Sequence, residues 1–343
     1  MIGFQCDYAE GCHPAILQRL AQTNFEQTPG YGQDDYCSQA RERLRALCGL
    51  PHAPVHFLVG GTQTNKTVIS ALLRPWQGVL SADTGHIAAH ETGAVEATGH
   101  KVLLLPAQDG LMDPDALAAF CADYWASPIP EHMVEPGMVY ISQPTELGTL
   151  YSLERLEKLS RVCRTYRLPL YVDGARLGYA LASPKNNVSL PDLARLCDGF
   201  YLGGTKCGAL FGEAVVLCNP ALDTGFRNMI KQQGGMLAKG RLLGLQFDTL
   251  LADDLYVTIC RRAVEQAMAI RQAFVNKGIP MLVDSPTNQQ FPILTQAQMA
   301  ALGGAYLYEP WGPAEGGFAV RFCTSWATRP EDVAALTADI AAL

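Results

Sequence analysis

MVYISQPTELGTLYSLERLEKLSRVCRTYRLPLYVDG, residues 138–174, holds an apolar run, an amphipathic segment and a second apolar run in one stretch. The outer runs, MVYISQ (138–143) and LPLYVDG (168–174), are short and rich in aliphatic and aromatic residues. SLERLEKLSRVCRTY (152–166) repeats its apolar residues at the 3.6-residue period of a helix. A helix between two strands carries the chain back to its starting edge, so the strands are expected to run parallel. The alternation extends in both directions through VHFLVGG (55–61), GVLSAD (78–83), HKVLLLP (100–106), GFYLGG (199–204) and EAVVLC (213–218). TQTNKTVISALLRP, DPDALAAFCADYW and SLPDLARLC are the helical segments between them. The fold class is therefore α/β, with a mostly parallel central sheet and helices on both faces. The run at 213–218 follows the one at 199–204 too closely for a crossover helix, and that pair is expected to be antiparallel.

Beyond Arg241 the pattern changes. Residues 241–277 read as one or two helices. NQQFPILT, AYLYEP and FAVRFCTSW are short β-like runs, and RPEDVAALTADIAAL opens a terminal helix. At the other end lie one good helix, PAILQRLAQTN, and a Gly- and Asp-rich stretch, TPGYGQDDYC, that reads as a functional or interface loop. The expected division is an N-terminal segment with its interface loop (1–45), a large domain (46–245) and a small α+β C-terminal domain (246–343).

The chain has 343 residues, 48% hydrophobic and 17% charged, which is ample for a sizeable core and excludes a disordered chain. A net charge of -7 without a basic run argues against nucleic acid as a partner. No apolar stretch is long enough for a membrane helix, and MIGFQCDYAEGCHP does not read as a signal peptide. The eleven cysteines are scattered, with no C-x-x-C pair. They are expected to be reduced, mostly buried thiols of a cytoplasmic protein.

Four features bear on chemistry, each with a plainer reading beside it. Lys206, in GFYLGGTKCGALFGE, follows a buried run among glycines. There its amine loses hydration and becomes more easily neutral and nucleophilic, unless it is simply a loop lysine. Asp173 ends LPLYVD at a strand's carboxyl end, where open α/β sheets bind ligands, with Arg176 three residues on. It can keep a heterocyclic nitrogen protonated, or merely cap a turn. Gly60-Gly61-Thr62-Gln63-Thr64-Asn65, between strand and helix, offers backbone N–H groups and hydroxyls to a phosphate, or is an ordinary helix start. Asn65 stands where a nucleotide-binding P-loop needs glycine, so an NTPase is rejected. In DTGHIAAHE (83–91), the order of His86, His90 and Glu91 does not fit a zinc protease, and no metal is expected. A neutral imidazole can also stack on a flat ring, and His86, just past a strand, is the better placed. A phosphate cradle, a stacking His, a carboxylate for a pyridine nitrogen and a downstream lysine are together the parts that hold pyridoxal phosphate.

GGTQTN, DTGHIAAHETGA, VDGARLG, GGTKCGALFGE, MLAKGRLLG and VRFCTSW occur in this order along nearly the whole chain. In this the sequence resembles the low-specificity L-threonine aldolases of the β-eliminating lyase group, fold-type I pyridoxal-phosphate enzymes. The resemblance implies a lyase that cleaves L-threonine or L-allo-threonine to glycine and an aldehyde. Lys206 would carry the cofactor covalently, Asp173 would pair with its ring nitrogen and His86 would stack on the ring. Arg176 would lie near its phenolic oxygen, Gly61 and Thr62 would bind phosphate, and Thr205 would also contact the cofactor. Arg321 would take the substrate carboxylate, with Tyr31 and Cys6 as further substrate contacts. The resemblance also implies a homodimer or homotetramer with active sites at the dimer interface. Tyr31 to Asp34 and Lys231 would then reach the neighbouring subunit's site. Many members carry a histidine where this chain has Glu146, in SQPTELGT, which makes Glu146 the candidate for removing the substrate hydroxyl proton. Other pyridoxal-phosphate reactions (transamination, β-elimination, racemisation) and a non-catalytic binding protein are the alternatives.

Overall fold

A computed structural model describes residues 1–343. Its main sheet has seven strands. These are β1 (Val55–Leu58), β2 (Gln77–Ala82), β3 (Val102–Leu105), β4 (Glu135–Ser142), β5 (Leu170–Asp173), β6 (Gly199–Gly203) and β7 (Glu213–Leu217). Their spatial order is β1-β7-β6-β5-β4-β2-β3. All neighbours are parallel except β7, which runs antiparallel to both β6 and β1, as the short β6–β7 connection requires.

The unit at 138–174 forms as its pattern demands. Ser152 caps the helix Leu153–Tyr166, accepting a hydrogen bond from Arg155 N at 3.2 Å, and Arg167 ends it in the left-handed region at φ 57°. The helix buries Leu156, Leu159 and Cys163 against the sheet face that carries Val139, Ile141, Leu170 and Val172. Met138, Tyr140, Tyr171 and Tyr201 point to the opposite face, where Val68 and Ile69 of the helix Gly61–Leu72 cover them. Burying each large apolar side chain contributes roughly 1.5–3 kcal/mol, so both faces are firmly held.

The chain moves outward from β2 to β3 and then returns to place β4 on the other side of β2. The connections after β2 and β4 therefore diverge, opening a crevice at the carboxyl ends of the strands.

The C-terminal part adds β8 (Gln289–Gln290), β9 (Ile293–Leu294), β10 (Glu309–Ala314) and β11 (Gly317–Cys323), all pairing antiparallel with β11 as the common partner. The helices Leu255–Asn276 and Pro330–Ala342 close over it, with a core of Phe274, Leu294, Val320, Phe322 and Leu336. The N-terminal residues are shared between these bodies. Ile2–Gly3 pairs in parallel with Tyr306–Leu307, and Phe4 enters the C-terminal core. The helix Asp35–Cys48 instead buries Cys37, Ala40, Leu44 and Cys48 in the main core. The helix Arg241–Leu250, which reaches past the expected division near residue 245, is buried in that same core. Nine of the eleven cysteines are buried, Cys6 and Cys218 are half-buried, and none is bonded to another. No helix is long and apolar enough to cross a membrane.

Candidate active site

At the carboxyl ends of the central strands lies a cleft. Among its lining residues are Gly61, His86, Glu146, Asp173, Arg176 and Lys206. Five strand ends supply them: Gly61 follows β1, His86 β2 and Glu146 β4, Asp173 ends β5 with Arg176 just beyond it, and Lys206 follows β6. The sheet thus brings together residues up to 145 positions apart in sequence, Gly61 and Lys206 being the outermost.

Asp173 is the most heavily bonded carboxylate of the cleft. Oδ1 accepts from Tyr201 OH at 2.5 Å and Ala175 N at 2.9 Å; Oδ2 accepts from Tyr140 OH at 2.6 Å and Asn65 Nδ2 at 2.9 Å. Burial alone would raise its pKa. The His86 imidazole, the two phenols and the backbone N–H outweigh burial and hold it below the usual carboxylate value. Burial, with the neighbouring Asp173 charge, in turn pushes the Tyr140 and Tyr201 phenols up, so both remain protonated donors. The result is an acceptor in the cleft that is charged at neutral pH.

Burial, then the Arg176 guanidinium, pushes the Lys206 amine down, toward the neutral, nucleophilic form. Arg176 is itself held by Asp7 through two hydrogen bonds of 2.7 and 3.0 Å. Burial works against both charges, yet their attraction wins: the Asp7 carboxyl falls to about 2 and the Arg176 guanidinium rises.

Behind Lys206, Glu213 accepts from Thr205 Oγ1 at 2.8 Å and Gly204 N at 3.1 Å, and burial pushes its carboxyl up to about 8. Thr205 Oγ1 also accepts from Gly212 N at 3.1 Å. The Thr205 hydroxyl is therefore committed to the loop that presents Lys206.

The helix Gly61–Leu72 begins without a side-chain cap, leaving its first N–H groups open to an anion. A Cβ at Gly61 would lie 3.2 Å from Tyr201 OH, so glycine keeps this edge of the cleft free. Thr62 is exposed beside it.

His86 Nδ1 lies 2.8 Å from Glu91 Oε1. Its backbone N–H donates to Glu146 Oε1 at 2.9 Å, and Ser142 Oγ donates to the same oxygen at 2.7 Å. Burial raises the Glu146 carboxyl above its usual range, the two donors only partly offsetting it.

Arg321, on β11, donates to Gln289 Oε1 and Gln5 O, each at 3.1 Å, pairs with Glu309 and sits over the Trp311 ring at 5.5 Å. Its Nε is buried without a partner, which leaves a donor for an incoming acceptor. Cys6 is half-buried between two anchored neighbours: Gln5, whose carbonyl Arg321 holds, and Asp7, paired with Arg176. Tyr31 and Lys231 are not brought to this cleft within the chain. They lie together elsewhere, with Lys231 Nζ 5.0 Å from the centre of an exposed Tyr31 ring.

Sequence reasoning missed Asp7, Asn65 as a side-chain ligand, Glu91, Tyr140, Tyr201 and Glu213. The tyrosines left a trace: MVYIS, LYVDG and GFYLGG each carry one two residues before the end of a central strand. Asp7 left none, because its partner is 169 residues away.

The cleft suits a flat, phosphate-bearing heterocycle. Such a group would find open N–H groups for its phosphate, a charged carboxylate for a ring nitrogen, and a lysine amine whose pKa burial lowers for a carbonyl carbon. Residues 4–304 match the family model described as beta-eliminating lyase. Low specificity L-threonine aldolase of Pseudomonas aeruginosa is 29% identical over 346 residues, which cover 98% of this chain and 96% of that protein. The enzyme of the same description from Saccharomyces cerevisiae is 25% identical, covering 78% of this chain and 68% of that protein. Among solved structures, a threonine aldolase of Leishmania major superposes with a TM-score of 0.96 at 41% identity, covering 99% of this chain and 98% of that one. An aspartate aminotransferase of Thermus thermophilus shares the fold at 14% identity, with a TM-score of 0.72 over 100% of this chain and 91% of that one.

Proposed function

Since the chain belongs to the beta-eliminating lyase family, we propose that it is a pyridoxal-phosphate-dependent lyase that cleaves L-threonine and L-allo-threonine to glycine and acetaldehyde. One observation carries this reading: Lys206 and Asp173 open into a single cleft in a chain 41% identical, over 99% of its length, to a threonine aldolase.

When bound, pyridoxal phosphate supplies an electrophilic carbonyl and a ring that takes up the electron pair released on Cα–Cβ cleavage. Lys206 would hold the cofactor through its amine. Asp173 keeps the ring nitrogen protonated, and the four donors that hold its carboxylate fix it in place. His86 would pack against the ring. Gly61 and Thr62 would present backbone N–H groups to the phosphate, and Arg176 would stand beside the ring's oxygen. Arg321 receives the substrate carboxylate through its free Nε. Glu146 takes the β-hydroxyl proton at Oε2, because Oε1 already accepts from Ser142 and His86 N. The carboxylate grip of Arg321 and the hydroxyl grip of Glu146 would together orient the substrate for cleavage.

Tyr31 and Lys231 act at the subunit interface in this reading, and Cys6 is a substrate contact beside the cleft. The exposed Tyr31–Lys231 pair, away from its own cleft, supports a homodimer or homotetramer in which it faces a neighbour's site. Eleven unbonded thiols support a cytoplasmic location.

The test is the absorbance spectrum of the purified protein, followed by glycine and acetaldehyde assays on both threonine isomers. A cofactor band with equimolar glycine and acetaldehyde is expected. A colourless protein, or a keto acid in place of the aldehyde, overturns the reading.

A further inference from the structure

Three buried side chains behind the cleft form a chain of contacts. Glu91 Oε1 lies 2.8 Å from His86 Nδ1 and accepts from Asn65 Nδ2 at 2.8 Å. The same Asn65 nitrogen donates to Asp173 Oδ2 at 2.9 Å. Asn65 is fully buried, and the Glu91 side chain has no exposure, while the His86 ring is 31% exposed. Both Asn65 amide hydrogens are spent on carboxylates. Turned over, the amide would set its oxygen against two carboxylate oxygens, so its orientation is fixed.

An ionised carboxylate offers lone pairs and no hydrogen. The hydrogen between His86 and Glu91 therefore sits on Nδ1, and the lone pair of a neutral ring sits on Nε2, at the edge that Glu91 does not cover. We propose that Glu91, oriented by Asn65, is a positioning residue that locks His86 in the Nδ1–H tautomer, so that Nε2 meets the cleft as an acceptor. The same amide ties Glu91 to Asp173, so the imidazole on one side of the cleft and the carboxylate beneath it are held as one unit. Nothing in this assignment needs a particular substrate. Only its kinetic consequence rests on the aldolase reading, in which an N–H facing the cleft would replace an acceptor beside the substrate hydroxyl.

The geometry distinguishes two substitutions at Glu91. In Glu91→Gln the amide oxygen can keep both bonds of Oε1, and the new NH₂ falls where Oε2 has no partner. The reverse orientation would set that NH₂ against the Asn65 NH₂. Glu91→Gln thus preserves the tautomer, whereas Glu91→Leu releases it.

The experiment is ¹⁵N NMR of the holoenzyme labelled at histidine, in alkaline buffer where an imidazole is neutral, with His86→Gln used to assign the resonances. Wild type and Glu91→Gln are expected to show His86 protonated at Nδ1, and Glu91→Leu a shift toward Nε2–H. In the kinetic arm, Glu91→Leu loses on the order of tenfold or more in kcat, as wrong-tautomer variants do. Glu91→Gln stays within about threefold, and glycine affinity is little changed in either. A wild-type ring protonated at Nε2 overturns the proposal without need of any variant, as does retention of Nδ1–H in Glu91→Leu. Absence of glycine and acetaldehyde formation with the Nδ1–H tautomer in place leaves the positioning role standing and removes the aldolase reading instead.

Discussion

Asp173→Asn attacks a carboxylate whose two oxygens each accept two hydrogen bonds. An asparagine must put its NH₂ where one oxygen was, facing two donors whichever way it turns. A tyrosine hydroxyl can rotate and accept. The N–H of Ala175 and the amide of Asn65 cannot, so at least one buried donor is orphaned. An orphaned donor costs about 1–3 kcal/mol, and each lost bond to a charged acceptor about 1.5–3 kcal/mol. Because the hydroxyl rotation recovers part of this, the net loss of stability comes to about 2–4 kcal/mol. The pH dependence has a definite sign. The folded-state pKa lies below the ordinary value of 3.8, so the stabilisation is present above that value and disappears as pH falls through the folded pKa. The gap between wild type and Asp173→Asn is therefore full at neutral pH and closes only below about pH 4. Without the charge the ring nitrogen loses its proton, and kcat falls by a hundredfold or more, an order typical of removing a strong electrostatic stabiliser. Urea denaturation at neutral and acid pH, with threonine turnover alongside, reads both effects. A variant within about 0.5 kcal/mol of wild type at neutral pH and within a few-fold in kcat would refute the reasoning.

Lys206→Ala removes the anchoring amine, and the borohydride-reducible absorbance band should vanish with turnover near background; a mutant that keeps both has its anchor elsewhere. Arg321→Ala should raise KM for threonine by the equivalent of about 2–5 kcal/mol while leaving the cofactor spectrum intact. An unchanged KM would assign the carboxylate to another group. Glu146→Gln keeps an oxygen for Ser142 and His86 N but cannot take a proton, so kcat for threonine should drop while glycine binding, which involves no hydroxyl, persists. Wild-type cleavage by this variant would move the base elsewhere.

Much of the sheet was legible because burial on both faces forces short apolar runs, and amphipathic periods between them admit only crossover helices. EAVVLC read as antiparallel because its connection to GFYLGG is too short for a crossover helix, and it pairs that way with both neighbours. Residues with a strand end or helix start next to them in sequence, such as Lys206, Asp173, His86 and Gly61, were visible as candidates, and all four line the cleft. Residues that act through a distant partner were not. Asp7 reads as a loop acid until Arg176 lies against it, and Glu213 reads as the first residue of a strand until Thr205 and Gly204 close on it. Asn65 was seen as the residue that breaks a nucleotide-loop motif, whereas its side chain joins two carboxylates. Thr205, expected at the cofactor, has its hydroxyl engaged by Glu213 and Gly212, a tertiary arrangement that the string GGTKCG does not encode.

The distribution of thiols gives this protein a built-in clock for its own breathing. A thiol-specific label meets two half-buried cysteines in the native chain, Cys6 beside the cleft and Cys218 just past the end of β7, while nine others are sealed in the packed interior. Each adduct beyond two, counted by mass, therefore records an opening of the element around a particular cysteine. Cys37 and Cys48 report on the helix Asp35–Cys48, Cys163 on the helix Leu153–Tyr166, and Cys260 on the helix Leu255–Asn276. Slow labelling followed over hours would rank these elements by opening free energy, without introducing a single foreign residue.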